Sequence, residues 1–494
     1  MIRNLLTDPC WTPDDLGKPL PDSPHATSVA LPCWDHAVGY EEGRPEIVSA
    51  MQLGYPRFVL HPQVAELFAL LETRYGRPGE RCFAFPSEEA ADRCVLFLME
   101  RGWAEARREL CPETRIHGVF FPENAFRDAK AFWQHFGKII SSRRAEAALE
   151  GREAAPGGPG AKKVIRERIA AFLGESADHV WLYPSGMAAM SRAMRLVQDC
   201  RPGAKSIQLG FPYVDVFKVQ TVSGPGSHFV GDYDLGVVAS ILTREPISAI
   251  VCEFPGNPLL TGCSLPELSR LAHQHDVPLI VDDTAATYAN VNVFPHADIV
   301  VTSLTKAFSG EGDVMAGGLA VHGVGPFGED FIAAAARNFD DLLWDDDAVV
   351  LERNSRDFEQ RVFQSNATAE ALCDWLAEQP AVESVFYPKF CMRAACDEIK
   401  RPGGGYGSLF SIVLHNGPVN APRFYDQLRI SKGPSLGNNF SLACPYTLLA
   451  HFEELDWAES HGVSRWLVRV SIGLEPLEDL KSRFATALEG LTIP

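Results

Sequence analysis

VPLIVDDTAATYANVNVFPHADIVVTSLTK, residues 277–306, holds two apolar runs that each end in polar chemistry. VPLIV breaks at Asp282 and Asp283, and ADIVV breaks at Ser303, Thr305 and Lys306. Runs this short, rich in β-branched residues and continuously apolar, fit strands covered on both faces. The same kind of run recurs upstream as HVWLY (179–183), SIQLG (206–210) and SAIVCEF (248–254). Helical patterns lie between and before them. AKKVIRERIAAFLG (161–174) puts Ile165, Ile169 and Phe172 on one face and ends at Gly174, a suitable C-terminal cap, while SLPELSRLAHQH opens with Ser264 and Glu267 at capping-box spacing. Strands alternating with helices imply an α/β fold, a mainly parallel sheet with helices on both faces.

The 494 residues exceed what one core usually serves, so two or three domains are expected. With 46% hydrophobic and 22% charged residues the composition is that of an ordinary globular protein. A net charge of -19 opposes attraction to nucleic-acid backbones and anionic membranes, so neither is an expected partner. The start, MIRNLLTDPCWTPDD, lacks a basic segment followed by an apolar one, and no run spans a bilayer, so a cytoplasmic protein is expected. Twelve scattered cysteines form no C-x-x-C pair and read as reduced, mostly buried thiols. Residues 1–65 are rich in prolines and turn residues and read as an arm. Residues 66–160, with VAELFALLETRYG, AADRCVLFLMERGWAEARREL and the turn-rich EAAPGGPG, read as an extra helical insertion and connector. Residues 161–354 form the large domain. Residues 355–494, with a long helical stretch and the strand-like runs GSLFSIVL and WLVRVSIG, read as a smaller C-terminal α/β domain.

In an open α/β sheet, ligands bind beyond the carboxyl ends of the strands. After HVWLY comes Pro184-Ser185-Gly186-Met187 and then a helix, so the N–H groups of Gly186 and Met187 would face an anion. Asp282 follows one strand, and Ser303, Thr305 and Lys306 follow the next. An acid, two hydroxyls and a lysine at neighbouring strand ends suit an anionic, nitrogen-containing cofactor that needs a covalent amine. Pyridoxal 5′-phosphate (PLP) fits: a carboxylate keeps its pyridine nitrogen protonated, hydroxyls and helix-end N–H groups hold its phosphate, and a lysine forms the imine.

These residues resemble the Cys/Met-metabolism PLP enzymes, which include cystathionine γ-synthases, cystathionine lyases and methionine γ-lyase. YPSGMAAM is similar to the family's phosphate-binding Ser-Gly-Met segment, VDDT to its Val-Asp-Asn-Thr, and TSLTKAFSGEGDVMAGG to its Ser-x-Thr-Lys stretch. The resemblance implies the type I fold of PLP-dependent transferases, with a mainly parallel seven-stranded sheet. It makes Lys306 the Schiff-base lysine and Asp282 the partner of the pyridine nitrogen, with Ser303, Thr305, Gly186 and Met187 at the phosphate. It places the stacking, proton-transferring tyrosine at Tyr213 in GFPYVDV, and Asn257 in EFPGNP beside the cofactor. GYPRFVLHP resembles the segment that reaches across a dimer interface, so Tyr55 and Arg57 are expected at the phosphate of the neighbouring subunit. PSLGNNFSL and LVRVSIG resemble substrate-binding segments, placing Ser435 near the substrate and Arg469 on its α-carboxylate. A dimer-built homo-oligomer, a tetramer, is implied. The longer form resembles the fungal-type cystathionine γ-synthases, with two departures: Asp283 replaces the usual Asn, and Pro434 stands where many γ-acting members carry a glutamate.

The reaction implied is γ-replacement on an O-activated homoserine, an amino-acid substrate, with cysteine giving cystathionine. A carbon nucleophile in secondary metabolism, a γ- or β-lyase, and a non-catalytic partner subunit of the same fold are the alternatives. Other motifs read more plainly. Gly323, Gly325 and Gly328 satisfy G-x-G-x-x-G, but Pro326 sits inside the turn and the segment reads as a connection. His273 and His275, two apart, point to different sides of a helix and form no metal pair. The acidic DDLLWDDD reads as a solvated loop. Arg469 has a structural alternative as an ion-pair partner.

Overall fold

The computed structural model of the chain describes residues 3–222, 224–337 and 339–493. Among these residues seven strands form the central sheet, in the order Val180–Tyr183, Gly317–Val321, Ile299–Ser303, Leu279–Asp282, Ile247–Glu253, Lys205–Leu209 and Ser227–Val230. Pairing is parallel except along Gly317–Val321, which runs antiparallel to both neighbours. Register sets the strand ends level. Asp282 lies opposite both Val301 and Glu253, Ser303 opposite Gly317, and Gly317 opposite Tyr183. The residues that interrupt each apolar run therefore share one edge of the sheet.

Local chemistry sets the flanking helices. The helix Gly158–Leu173 buries Ile165 and Ile169, half-buries Phe172, and stops at Gly174, whose φ of 69° is the left-handed cap conformation glycine adopts without strain. In Leu265–Gln274 the Ser264 hydroxyl accepts the N–H of Glu267 at 3.3 Å, one half of the expected capping box. The C-terminal region forms a five-stranded sheet, Val382–Phe386, Leu409–Leu414, Val468–Ser471, Leu442–Cys444 and Ser431–Lys432. One hydrophobic cluster is continuous from Ile165 and Ile250 to Phe410 and Val470, so the two sheets share a core.

The helical reading of 66–160 is incomplete. Helices alternate there with a three-stranded antiparallel sheet, Glu80–Phe85, Ile116–Pro122 and Arg107–Cys111. The helix Glu88–Glu100 ends where Gly102, at φ 90°, turns the chain, and RRELC then runs as an edge strand. Its arginines pair with Glu80 and Asp92, so polar contacts hold an edge that hydrophobic periodicity does not reveal. This layer has its own core, in which Phe83, Phe120, Phe132 and Trp133 are fully or almost fully buried.

The N-terminal arm packs across the C-terminal sheet. Its short hairpin, Pro19–Leu20 with Ser28–Val29, is followed by Leu31, whose N–H donates to Lys432 O at 2.8 Å. Lys432 Nζ returns a bond to Pro32 O at 2.9 Å, and Trp34 stacks on Trp466 with ring centroids 5.9 Å apart. Among the described residues no helix is long and apolar enough to cross a membrane.

Phe132 is 2% exposed and stacks on Phe136 at 4.4 Å, near the middle of the three-stranded layer. Phe132→Ala should destabilise that layer by about 3–5 kcal/mol. Hydrogen exchange should accelerate in the strands Glu80–Phe85 and Ile116–Pro122 before it does in the seven-stranded sheet.

Candidate active site

Lys306 follows the strand Ile299–Ser303 and faces a cavity of about 890 Å³ bounded by the sheet edge, the arm, the three-stranded layer and the C-terminal region. Its Nζ meets two hydroxyls, Ser435 Oγ at 3.0 Å and Tyr55 OH at 3.2 Å, and pairs with no carboxylate among the described residues. Burial lowers its pKa below the ordinary amine range, helped by the Arg469 and Arg57 cations, while Tyr55 pulls the other way. Burial alone would raise the Tyr55 phenol, but Lys306 and Arg57 outweigh it and bring it down. Ser435 has a φ of 124°, unusual for a residue with a side chain, and Ser28 of the arm donates to the carbonyl of the preceding Pro434. Gly437, next in that loop, lies so close that a Cβ would fall 2.5 Å from Ala307 N.

The anion end is built on the helix Gly186–Cys200. Ser185 caps it, accepting from Ala188 N at 3.0 Å, and the first-turn N–H groups of Gly186 and Met187 have no intrahelical acceptor. Gly186 is needed for space, since a Cβ would sit 2.8 Å from Ser303 Cβ. Ser303 lies on the cavity, its N–H bound to Thr284 Oγ1 at 2.8 Å. The Thr305 hydroxyl is already engaged: it donates to Ala316 O at 3.3 Å and accepts Ala316 N–H at 3.0 Å, bracing the turn that presents Lys306.

Three acids stand at the opposite side. Asp282 accepts Thr284 N–H at 2.9 Å and has no ion-pair partner among the described residues; burial raises its pKa. Glu253, one strand over, accepts the N–H groups of Tyr213 and Asn257, and burial beside Asp282 pushes it up to about 8. Asp283 points behind the sheet edge. It accepts from Thr302 Oγ1, its other oxygen has no partner, and burial pushes it up to about 8.

Tyr213 precedes the helix Val214–Val222 and accepts a hydrogen bond from Arg57; burial holds its phenol well above the ordinary range. Arg57 is 3% exposed and ion-paired with Asp215, which is fully buried. Both Tyr55 and Arg57 thus stand, within the single chain, at the cavity that holds Lys306. The arm reaches this site because the three-stranded layer follows it and folds back, Gln134 O accepting Arg57 Nη1 at 2.9 Å. Arg469 donates to Asn257 Oδ1 at 3.1 Å and Ser435 O at 2.8 Å, lies over the Tyr446 ring, and pairs with no carboxylate among the described residues. Its structural ion-pair reading is set aside, and it remains a buried cation open to an anion.

The residues named from the sequence for the cofactor and the substrate therefore lie on or beside one cavity. The arrangement fits PLP on three observations: an amine met only by hydroxyls, a buried acid with no cation opposite, and a helix N-terminus where only glycine leaves room. Sequence reading missed Glu253, Asp215 and His135. The first two lie inside the quoted motifs EFPGNP and GFPYVDV, whereas His135 comes from the extra layer and carried no local signal.

The remaining motifs resolve as structure. Gly323–Gly328 lies at the far edge of the sheet, since its antiparallel strand starts level with Ser303, and Gly323 N–H donates to Glu175 at 2.9 Å. A carboxylate there opposes a bound phosphate. His273 pairs with Asp298 at 3.0 Å, which raises its pKa. The acidic run is no free loop: it opens the helix Asp345–Asn354, with Asp345 on Lys162, Asp346 on Arg152 and Asp347 on Arg143.

Residues 156–489 match the model of the Cys/Met metabolism PLP-dependent enzymes, and residues 63–141 match the N-terminal domain of fungal trans-sulfuration enzymes. A cystathionine gamma-synthase of Neurospora crassa is 35% identical over 97% of this chain and 98% of its own length. A cystathionine gamma-synthase-like enzyme of Amanita muscaria is 36% identical over 96% of each. The solved cystathionine gamma synthase of Xanthomonas oryzae pv. oryzae in complex with cystathionine shares the fold, with a TM-score of 0.59 and 23% identity over 67% of this chain and 85% of that one.

Asp283 keeps its proton to about pH 8 in the folded chain, whereas an unfolded aspartate releases it near 4. The native state binds the extra proton, so Asp283 lowers stability as pH rises from about 4 to about 8. Asp283→Asn, neutral and of the same shape, should narrow the gap between melting temperatures at pH 5 and pH 8 by on the order of 5 °C. An unchanged gap, read by calorimetry, would count against this.

Proposed function

Because the chain belongs to the Cys/Met metabolism family of PLP-dependent enzymes, we propose that it catalyses γ-replacement on an O-activated L-homoserine, with L-cysteine as nucleophile and cystathionine as product. The observation that carries this reading is the pairing of an amine kept below its ordinary pKa, Lys306, with an unpaired buried cation, Arg469, across one cavity. When bound, PLP supplies the electron sink that makes protons at Cα and Cβ of the amino acid removable.

The chain's own residues do the rest. Lys306 would hold the cofactor as an imine and, as a free amine, would take the Cα proton and carry it onward. Burial favours the neutral amine that this role requires. Asp282 would meet the pyridine nitrogen, where a cation would lower its pKa and keep it ionised. Gly186, Met187, Ser303, Tyr55 and Arg57 would hold the phosphate, with Thr305 bracing the turn beneath. Tyr213, its phenol protonated, would stack on the ring, and Asn257, which accepts from Arg469, would stand beside the cofactor. Arg469 and the Ser435 loop fix the substrate carboxylate, so that Cα and Cγ have one orientation relative to Lys306. The amine, the acid and the cation argue against a non-catalytic partner subunit.

A second reading, substitution by a bulkier carbon nucleophile, is supported by the cavity's size and by its apolar walls, Phe58, Phe83, Phe126 and Phe452. No glutamate stands at Pro434 to narrow it. A cytoplasmic, dimer-built homo-oligomer belongs to the proposal, with Tyr55 and Arg57 taken to serve the site of their own chain, where they stand in the single chain.

O-acyl-homoserine with cysteine should give cystathionine by mass. Ketobutyrate and ammonia alone would sink the synthase reading in favour of a lyase, and turnover only with an added ketone or β-keto acid would favour carbon–carbon bond formation. Arg469→Lys should raise KM for the amino acid by about 10–100-fold, the loss of one charge-assisted pair. Mixed Lys306→Ala and Arg57→Ala subunits should recover no activity after exchange, because both residues serve the same chain's site; recovery would return Arg57 to the neighbour.

A further inference from the structure

Asp215 is fully buried and accepts from three side chains: Arg57, His135 through Nδ1 at 2.8 Å, and Gln134 through Nε2 at 3.3 Å. Burial opposes its charge, but Arg57 and His135 overcome that and hold the carboxyl below its usual pKa. Arg57 in turn has its fork fixed on both sides, with Asp215 and Gln134 O on one nitrogen and the Tyr213 hydroxyl on the other. Gln134 and His135 belong to the last turns of the helix Phe126–Phe136, in the three-stranded layer that no residue of the PLP reading above comes from. The same helix end also supports the anion-binding helix. Gly137 O accepts Ser185 Oγ at 2.8 Å, Phe136 O accepts Ser191 Oγ at 3.2 Å, and a Cβ on Gly137 would fall 2.4 Å from Ser185 Oγ.

We infer that His135 and Gln134 are positioning residues: through Asp215 they fix the direction of Arg57, so the extra layer sets how tightly the site holds the phosphate of PLP. This rests on the assignment of Arg57 to the phosphate. An arginine on an arm has many rotamers, and a carboxylate whose other oxygen, Oδ1, is held twice by a second element restricts them before the ligand arrives. With His135 gone, Asp215 keeps Arg57 as a partner but loses its own orientation. The guanidinium then meets the phosphate only part of the time.

PLP is titrated into the PLP-free full chain, and its dissociation constant is read from tryptophan quenching and from the visible band. His135→Ala should weaken binding about tenfold, and Gln134→Leu by less. His135→Asn, whose amide nitrogen stands where Nδ1 stood, should restore most of the loss. In an Arg57→Ala background, His135→Ala should change the constant less than twofold, because its effect runs through Arg57. Equal losses with and without Arg57, or no rescue by Asn at unchanged melting temperature, would overturn the inference. If Arg57→Ala alone leaves PLP affinity unchanged, it is the phosphate assignment that fails, a separate result from the first.

Discussion

Lys306 has to shed its charge to act as a nucleophile or a base, and it can do so only where water is scarce and no carboxylate holds the proton. The mouth of a parallel sheet supplies such a place, because strand ends converge there while helices cover both faces. Everything else at the site answers to that constraint. The groups touching Nζ are hydroxyls, the acids stand on the neighbouring strands, and the two arginines nearby further disfavour the ammonium form. A carboxylate moved to the position of Ser435 would stabilise the charged amine and silence it.

The same requirement explains the walls. A site this dry needs cover on the side away from the sheet, and here three separate pieces provide it: the arm, the three-stranded layer and the loop at Ser435. Each is tied to another piece by polar bonds as well as by apolar packing such as that of Leu20 and Ala30 on Phe440 and Leu442. Ser28 of the arm fixes Pro434, Gly137 of the layer fixes Ser185, and Gln134 fixes Arg57. The buried Asp283 belongs to the same economy of charge: neutral, it leaves Asp282 as the acid free to meet a cation.

What could be read from the sequence was whatever repeats locally. Apolar runs named the central strands, and the residues breaking them named the amine, the acid and the anion-binding turn, because in a parallel sheet sequence order and spatial position coincide at the strand ends. The strand Arg107–Cys111 was hidden because charged side chains hold it at an edge, where no alternation of apolar residues is required. The place of Tyr55 and Arg57 at the cavity of Lys306 was hidden for another reason. It depends on contacts such as Arg57 with Asp215, 158 residues apart, and on how the intervening layer folds back. His135 has no local mark at all, since its meaning exists only once Asp215 is beside it.

The strap between the arm and the C-terminal sheet has a consequence for biosynthesis. Ser28 finds its acceptor 406 residues later, at Pro434, and Pro32 finds Lys432 400 residues later. The arm is thus made long before its partners, and until they appear the loop carrying Ser435 has no strap. The central sheet can form while translation continues, but a nascent chain stalled before residue 434 would hold Lys306 in an unfinished pocket.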